Sequence, residues 1–145
     1  MYEPIRTKSV HTMAAAPDFP HRSREEELDI RLAGQLTALL TVTDELHALA
    51  AHGGHRPLDG AALAAAADRI AEQVARLSGH HPLRAEPTDD GTPGRIPALQ
   101  QRAHTLAGNA LAVATSRDDA AAMALAAERM EAHGAAFGTR DLATA

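Results

Sequence analysis

One series of leucines limits what this chain can fold into more than any other feature of its sequence. Between residues 23 and 52, apolar side chains recur at alternating steps of three and four, which is the spacing of one face of an α-helix. The series consists of Leu28, Leu32, Leu39, Val42, Leu46 and Leu49, with Gln35 standing in it between Leu32 and Leu39. Ser23 and Glu26 form a capping box at its start, and Gly53 and Gly54 follow its end. The pattern predicts a helix of about 29 residues, or roughly 43 Å.

Three shorter helices follow, each with its own apolar stripe. They are predicted over residues 60–78, 96–115 and 117–133. Asp59 is suited to cap the first of the three, and Pro97 lies in the first turn of the next, where proline is tolerated. Four amphipathic helices of these lengths predict an all-α fold, which we interpret as an up-down-up-down antiparallel four-helix bundle.

The boundary between the third and fourth helices is set by phase, because neither Gly nor Pro separates them. If the third stripe continued, Arg117 and Glu131 would fall on the apolar seam, whereas Met123 and Met130 would leave it. A break at residues 116–119, with a second start that resembles a capping box, returns both methionines to one face. We therefore predict a tight turn there and a separate fourth helix.

The remaining segments show no helical periodicity. Residues 1–22 are expected to form an irregular N-terminal arm anchored by Phe19, and residues 135–145 a C-terminal tail. The bundle itself is expected to comprise residues 23–134. Its second and third helices are separated by about 17 residues with three prolines, 79–95. Loops of this length are uncommon in compact domains unless they are functional or disordered.

Composition argues against several classes of function. The chain of 145 residues has no Cys, which excludes disulfides, thiol catalysis and zinc–thiolate sites. A net charge of −5 without any run of Lys or Arg argues against a nucleic-acid partner, because such binding depends on neutralised phosphates. No apolar run approaches the roughly 18 residues that span a bilayer. The N-terminus lacks the apolar segment of a signal peptide, so we predict a cytoplasmic protein without a membrane partner.

Nine histidines are the main candidates for chemistry, and GHRPL at 54–58 is nearly repeated by GHHPL at 79–83. In the up-down-up-down interpretation the two motifs lie at opposite ends of the second helix, nearly 30 Å apart, so they cannot share a metal ion within one chain. Four histidines would instead gather near the start of the first helix. They are His21, His80, His81 and His133. Imidazoles with carboxylates nearby suit a transition metal such as Zn or Ni; the alternative is that they only cap helix ends.

No catalytic constellation accompanies these histidines. Ser23, Ser78 and Ser116 all lie at predicted helix ends, and the chain contains neither a Gly-x-Ser-x-Gly motif nor a glycine-rich phosphate loop. Inward-facing Glu-x-x-His motifs, which di-iron bundles need, do not occur either. Nothing in the sequence therefore supports enzymatic activity.

The functional prediction is a small non-enzymatic interaction or regulatory protein that forms a homodimer or docks a helix of another protein. The first helix would outrun its partners by roughly 15 Å, and apolar side chains beyond the end of a bundle need another surface to cover them. Alanine-lined faces on the second and fourth helices would admit a close neighbour, although tight packing within the chain explains them more simply. The predicted interface consists of Phe19, Leu28, Leu32, Leu39, Leu46 and Leu49. The alternative is a bundle that binds a metal or another small ligand through the histidines at its helix ends.

Overall fold

The chain folds as an all-α helical bundle, as the sequence predicts. The computed structural model describes residues 21–51, 58–87 and 94–144, with side chains up to residue 136. Across these ranges there are four helices and no strand. The helices are α1 (Arg24–Ala51), α2 (Gly60–Ser78), α3 (Arg95–Arg117) and α4 (Ala120–Thr144). We call the end of the bundle at which α1 begins the lower end.

Part of the prediction falls outside the described residues. Phe19 and nearly all of the expected N-terminal arm belong to that part, as does most of the GHRPL motif at 54–58.

The sequence also predicted that no segment crosses a membrane. Within the described ranges, no helix combines the length and the apolar character that crossing a bilayer requires.

Local chemistry sets the ends of α1 and α2. The Ser23 N–H donates to Glu26 Oε1 at 2.8 Å and the Glu26 N–H donates to Ser23 Oγ at 3.1 Å, which completes the predicted capping box. Asp59 caps α2 by accepting a bond from the N–H of Ala62. Gly79 ends α2 in the left-handed region (φ 89°), where glycine is favoured. The bounds of α2 are therefore the predicted ones.

The predicted break between α3 and α4 is confirmed, with a different residue as the cap. Asp118 adopts a left-handed conformation (φ 60°) that ends α3. Asp119 then caps α4, because its carboxylate accepts a bond from the N–H of Ala122 at 3.1 Å. Ser116 is still inside α3 and does not act as a cap. A turn this tight makes α3 and α4 neighbouring antiparallel helices.

The helix directions differ from the predicted up-down-up-down order. Arg95, at the start of α3, pairs with Glu45 near the end of α1 at 3.2 Å. Arg117, at the end of α3, pairs with Asp29 near the start of α1 at 2.9 Å. α3 is therefore antiparallel to α1 and parallel to α2. The order is up-down-down-up, and the predicted direction of the last two helices is wrong.

The connection between α2 and α3 allows this order because it returns along the length of the bundle. Its described part, residues 79–87, is called the strap. Arg84 of the strap donates to Asp44 of α1 at 2.6 and 3.1 Å, and to Asp68 of α2 at 3.3 Å. An extended connection of about 16 residues can reach roughly 50 Å, well beyond the roughly 28 Å length of α2. Four-helix bundles with one long crossover of this kind form a recognised class.

α1 is the central helix, because α2 and α3 pack on it from two sides and the strap crosses its outer face. It supplies most of the large side chains of the core, whereas its neighbours supply many alanines. The buried residues of α1 are Leu28, Leu32, Leu36, Leu39, Leu40, Val42, Thr43, Leu46 and Leu49. The buried alanines of the other three helices are Ala66, Ala67, Ala103, Ala107, Ala110, Ala114, Ala122 and Ala126. A buried leucine contributes about 2 kcal/mol by leaving water, so α1 carries most of the hydrophobic stabilisation.

α4 continues past the predicted stop at Gly134 and reaches Thr144. The reason lies in what this glycine contacts. A Cβ at this position would lie 3.0 Å from the ring carbon Cε1 of His104. Glycine therefore allows α3 and α4 to approach each other here, and one glycine inside a helix costs only about 1 kcal/mol. Residues 135–144 are helical, and the predicted C-terminal tail is wrong.

Candidate functional sites

The leucines of the predicted interface are core residues of the single chain. Leu28, Leu32, Leu39, Leu46 and Leu49 are all buried. The prediction assumed that α1 outruns its partners, but α3 and α4 have 23 and 25 residues against 28 in α1. The five leucines are already buried within the single chain, so they present no exposed surface to a partner there. Phe19, the remaining member, lies outside the described residues.

The predicted metal site does not assemble. His21, His80 and His81 lie at the lower end, where α1 begins and α2 ends. His133 lies on α4 about 14 residues beyond Asp119, which pairs with Arg76 near the lower end of α2 at 2.8 Å. That separation is about 21 Å along the helix. A site that uses all four histidines is therefore wrong, since the up-down-down-up order moves His133 away from the others. In the described part of the chain, no group of three or more His, Asp or Glu side chains is arranged to hold a metal ion.

His133 belongs instead to a buried polar cluster between α3 and α4, which we call the core triad: Gln100, Arg129 and His133. Each residue of the triad is at most 8% exposed. His133 Nδ1 lies 2.6 Å from Gln100 Oε1, and Arg129 Nη2 lies 3.3 Å from His133 Nε2. A guanidinium can only donate, so His133 Nε2 must accept and the ring carries its proton on Nδ1. The triad is thus a directed chain of hydrogen bonds from Arg129 through His133 to Gln100.

The charge of the triad resides on Arg129. Burial, together with the positive charge of Arg129, lowers the pKa of His133 to about 4, so this imidazole is neutral at pH 7. Burial also lowers the pKa of Arg129, an effect that the carboxylate of Glu128 opposes. Among the described residues, Arg129 Nε has no hydrogen-bond partner although the atom is buried. The triad therefore places one incompletely satisfied cation inside the bundle.

Gln100 and Arg129 escaped the sequence prediction because both are polar, and apolar periodicity passes over such residues. The predicted stripes of α3 and α4 combined large residues that prove to be half-buried, such as Leu106 and Met123, with alanines that are fully buried, namely Ala103, Ala110 and Ala126. A signal was nevertheless present in the spacing. The inward positions of α4 include Ala122, Ala126, Arg129 and His133, at steps of four, three and four. Steps of this kind mark one helix face whatever the polarity of its residues.

A second feature is an open apolar groove of about 550 Å³ beneath the strap, which we call the strap groove. α1 and α2 form its floor, and the strap with His80, His81 and Leu83 forms one side. Leu83 is 97% exposed, and Ile30, farther down α1, is 52% exposed. None of the described residues that line this groove is Asp, Glu, Lys or Arg. His21 lines a different open cleft at the lower end, beside Ile30.

The floor of the strap groove contains a glycine that packing within the described chain does not require. Gly34 is exposed and lies inside α1. Leaving aside the helix backbone and the adjacent residues, no described atom lies within 4 Å of a Cβ built at this position. Gly134, in contrast, would bring its Cβ against His104. Since glycine inside a helix costs about 1 kcal/mol relative to alanine, Gly34 leaves a depression at an energetic cost.

Comparison of the chain with protein-family models, with curated proteins and with solved structures found no match.

Proposed function

We propose that this protein is a small non-enzymatic helical module that forms a homodimer through the strap groove. The observation that carries the proposal is the nearly complete exposure of Leu83 beside a groove whose floor has a depression at Gly34. A two-fold interface uses the same patch on both subunits, so that patch must be complementary to itself. A protruding apolar side chain next to a depression is complementary to itself, because the side chain of each subunit can fill the depression of the other.

The charges around the groove favour a second copy of the chain as the partner. With a net charge of −5, two copies repel each other at long range. The groove, however, lacks acidic residues among those that line it, and Arg84 at its edge is already paired with Asp44 and Asp68. A two-fold axis through the groove therefore joins two surfaces without net charge. An unrelated partner would need no such neutrality, and a charged complementary surface would suit it better.

The expected dimer is weak and depends on concentration. Covering Leu83 on both subunits, together with the exposed half of each Ile30, contributes at most about 9 kcal/mol. Association costs at least about 4 kcal/mol in lost freedom of motion, and the ordering of side chains adds to that cost. The net free energy of association is then at best roughly −5 kcal/mol, which corresponds to a Kd of about 0.2 mM.

The oligomeric state is the direct test. Size exclusion with light scattering, over a series of protein concentrations, should show a monomer at low concentration that converts to a dimer. Leu83→Asp should abolish the dimer and leave the helix content unchanged, because this side chain is 97% exposed in the single chain. A chain that remains monomeric at every concentration would contradict the proposal.

Gly34→Ala provides a sharper version of the test. Helix propensity predicts that it stabilises the monomer by about 1 kcal/mol, but the added methyl group fills the depression and should weaken the dimer. Gly108→Ala is the matched control, because its Cβ would make an ordinary 3.5 Å contact with Met130 Sδ, away from the groove. Equal dimerisation of both variants and the wild type would show that any dimer uses another surface.

A further inference from the structure

The seam between α2 and α4 is held by ion pairs over an open cleft. Arg69 of α2 donates to Glu128 of α4 at 3.1 and 3.2 Å, and Arg76 donates to Asp119 at 2.8 and 3.0 Å. Between these two pairs lies a cleft of about 440 Å³. Its lining residues are Arg69, Glu72, Gln73, Ala121, Ala124, Leu125 and Glu128. The cleft thus combines an apolar floor on α4 with a polar rim.

Glu128 is shared by two guanidinium groups at this seam. Its Oε1 accepts from Arg69 Nη2 at 3.1 Å and lies 3.6 Å from Arg129 Nη1. The second distance is longer than a good N–H···O bond of about 2.7–3.2 Å, so Glu128 satisfies the buried cation only in part. The side chains of Arg69 and Glu128 are about half exposed, whereas that of Arg129 is only 8% exposed.

The buried guanidinium of Arg129 points to a missing acceptor. Its Nε has no partner in the described residues, and its Nη2 donates to the neutral ring of His133 rather than to an anion. A buried cation is costly unless it is paired and hydrogen-bonded. Nη1 is the part of this guanidinium that faces the Glu128 carboxylate, and at 3.6 Å it lacks a good hydrogen bond there. The side chain of Glu128 is the nearest carboxylate, and its exposure leaves it free to turn towards solvent.

We propose that the cleft between α2 and α4 binds a small carboxylate with a short apolar tail, and that the Glu128 carboxylate occupies the same place when no ligand is bound. The ligand carboxylate lies between Arg69 and Arg129, and its tail lies along Ala121, Ala124 and Leu125. Glu128 is the model for the ligand because its own carboxylate already bridges the two cations. The proposal is independent of the dimer, which concerns a different surface.

Glu128→Ala with added carboxylates tests the proposal. Removing Glu128 leaves the two guanidinium groups without their shared anion, so the melting temperature should fall by a few degrees. Acetate, propionate and butyrate should then restore it in a saturable way, by mass action. Each added methylene should strengthen the effect up to about fourfold, because the tail is buried on alanine and leucine. Sodium chloride at matched ionic strength should not restore it.

Two variants and one further anion control the experiment. In the double variant Arg69→Ala/Glu128→Ala, carboxylates should not restore the melting temperature, since one of the two guanidinium groups that bind them is gone. Glu72→Ala removes a carboxylate from the same cleft that is not shared by the two cations. It should not lower the melting temperature, and butyrate should raise that temperature no more than it does in the wild type. Restoration by inorganic phosphate equal to that by butyrate would overturn the carboxylate and its tail as the recognised chemistry.

The wild-type protein decides whether Glu128 gives way to a ligand. Butyrate added to the labelled wild type should shift the amide signals of α2 and α4 around Arg69 and Arg129 in two-dimensional NMR spectra, and Arg69→Ala should remove these shifts. This titration is informative even if Glu128→Ala is too unstable to study. Restoration in the variant without any shift in the wild type would make Glu128 a permanent partner and overturn the proposal.

Discussion

The α1–α2 pair and the α3–α4 pair of this bundle achieve burial by different means. Around α1 the core consists of large aliphatic side chains, among them the fully buried Leu32, Leu39 and Leu46, and α2 adds Ile70. Between α3 and α4 the buried residues are mostly alanine, together with the three polar residues of the core triad. One pair is held by the volume of its side chains, and the other by close approach of backbones and by hydrogen bonds.

This difference determines how each pair responds to change. Hydrophobic packing is non-directional, so it tolerates a change of shape better than a loss of volume, and it does not depend on pH. A buried hydrogen-bonded network depends on direction and on protonation, and each group left without its partner is costly. Perturbations of volume should therefore affect the first pair most, and perturbations of polarity or pH the second.

The largest effect is expected from removing volume beside α1. Leu39→Ala should lower the free energy of unfolding by about 3–4 kcal/mol, because the side chain is fully buried and the space it leaves is only partly filled. Ile30→Ala on the same helix is the control and should cost less than about 1 kcal/mol, since Ile30 is half exposed. Chemical denaturation measures both. Similar losses for the two variants would show that α1 is not the packed centre of the fold.

The second effect is a pH dependence that belongs to the α3–α4 pair. The pKa of His133 is about 4 in the folded chain and near 6.5 when unfolded, so between these values the unfolded state binds more protons. Stability is therefore complete above about pH 6.5 and is lost as pH falls towards 4, by about 2 kcal/mol between pH 7 and pH 5. Arg129, His104 and Glu128 are the charged or titratable groups that act on this ring.

His133→Gln isolates the contribution of the imidazole, because glutamine does not titrate. Denaturation at pH 7 and pH 5 should show a smaller loss for the variant than for the wild type, and the difference between the two losses should be about 2 kcal/mol. Contributions from all other titrating groups cancel in this comparison. Identical losses would mean that the ring is protonated in the folded chain at these pH values.

The third effect concerns the acceptor of the triad. Gln100→Leu keeps the volume but leaves the Nδ1–H of His133 buried without an acceptor, and we expect a loss of about 2 kcal/mol. Gln101→Leu is a matched substitution on the exposed neighbour and should change stability by less than about 0.5 kcal/mol. Thermal melting of both variants at neutral pH makes the comparison, and equal stabilities would remove the triad as a stabilising element.

The smallest effects are expected at two glycines, and their signs differ. Gly34→Ala should raise the stability of the monomer by about 1 kcal/mol, because helix propensity improves and no described atom obstructs the methyl group. Gly134→Ala gains the same propensity, but its Cβ would press on the ring of His104 at 3.0–3.1 Å, so we expect a net loss of about 1 kcal/mol. Parallel denaturation at low protein concentration tests both signs.

The sequence was sufficient for those features that local chemistry determines. The capping box at Ser23, the bounds of α2 and the break before Asp119 follow from side chains that bond within four residues of their own position. The burial of the leucines on α1 was also readable from their spacing. The neighbours that cover these leucines could not be read from the sequence, because periodicity identifies a buried face without identifying the helix that buries it.

The rest depended on distant contacts that no local pattern carries. A connection with three prolines suits a short return as well as a crossover, and the distant pairings of Arg95 with Glu45 and of Arg117 with Asp29 distinguish them. Gly134 was interpreted as a helix stop because the same residue type serves a C-cap and a close approach. Apolar periodicity could not predict the core triad, since its three members are polar residues at core positions.

The strap also has a consequence for the order of events in folding. α1 with α2 and α3 with α4 are each antiparallel pairs joined in sequence, so most contacts are local and each pair can form quickly on its own. Docking of α3 on α1 must close the connection between the pairs. The entropic cost of closing a loop grows only slowly with the length of the loop, by about 0.6 kcal/mol per doubling. The length of that connection should therefore affect stability only weakly, whereas the pairing of Arg84 with Asp44 and Asp68 fastens its described part to the first pair.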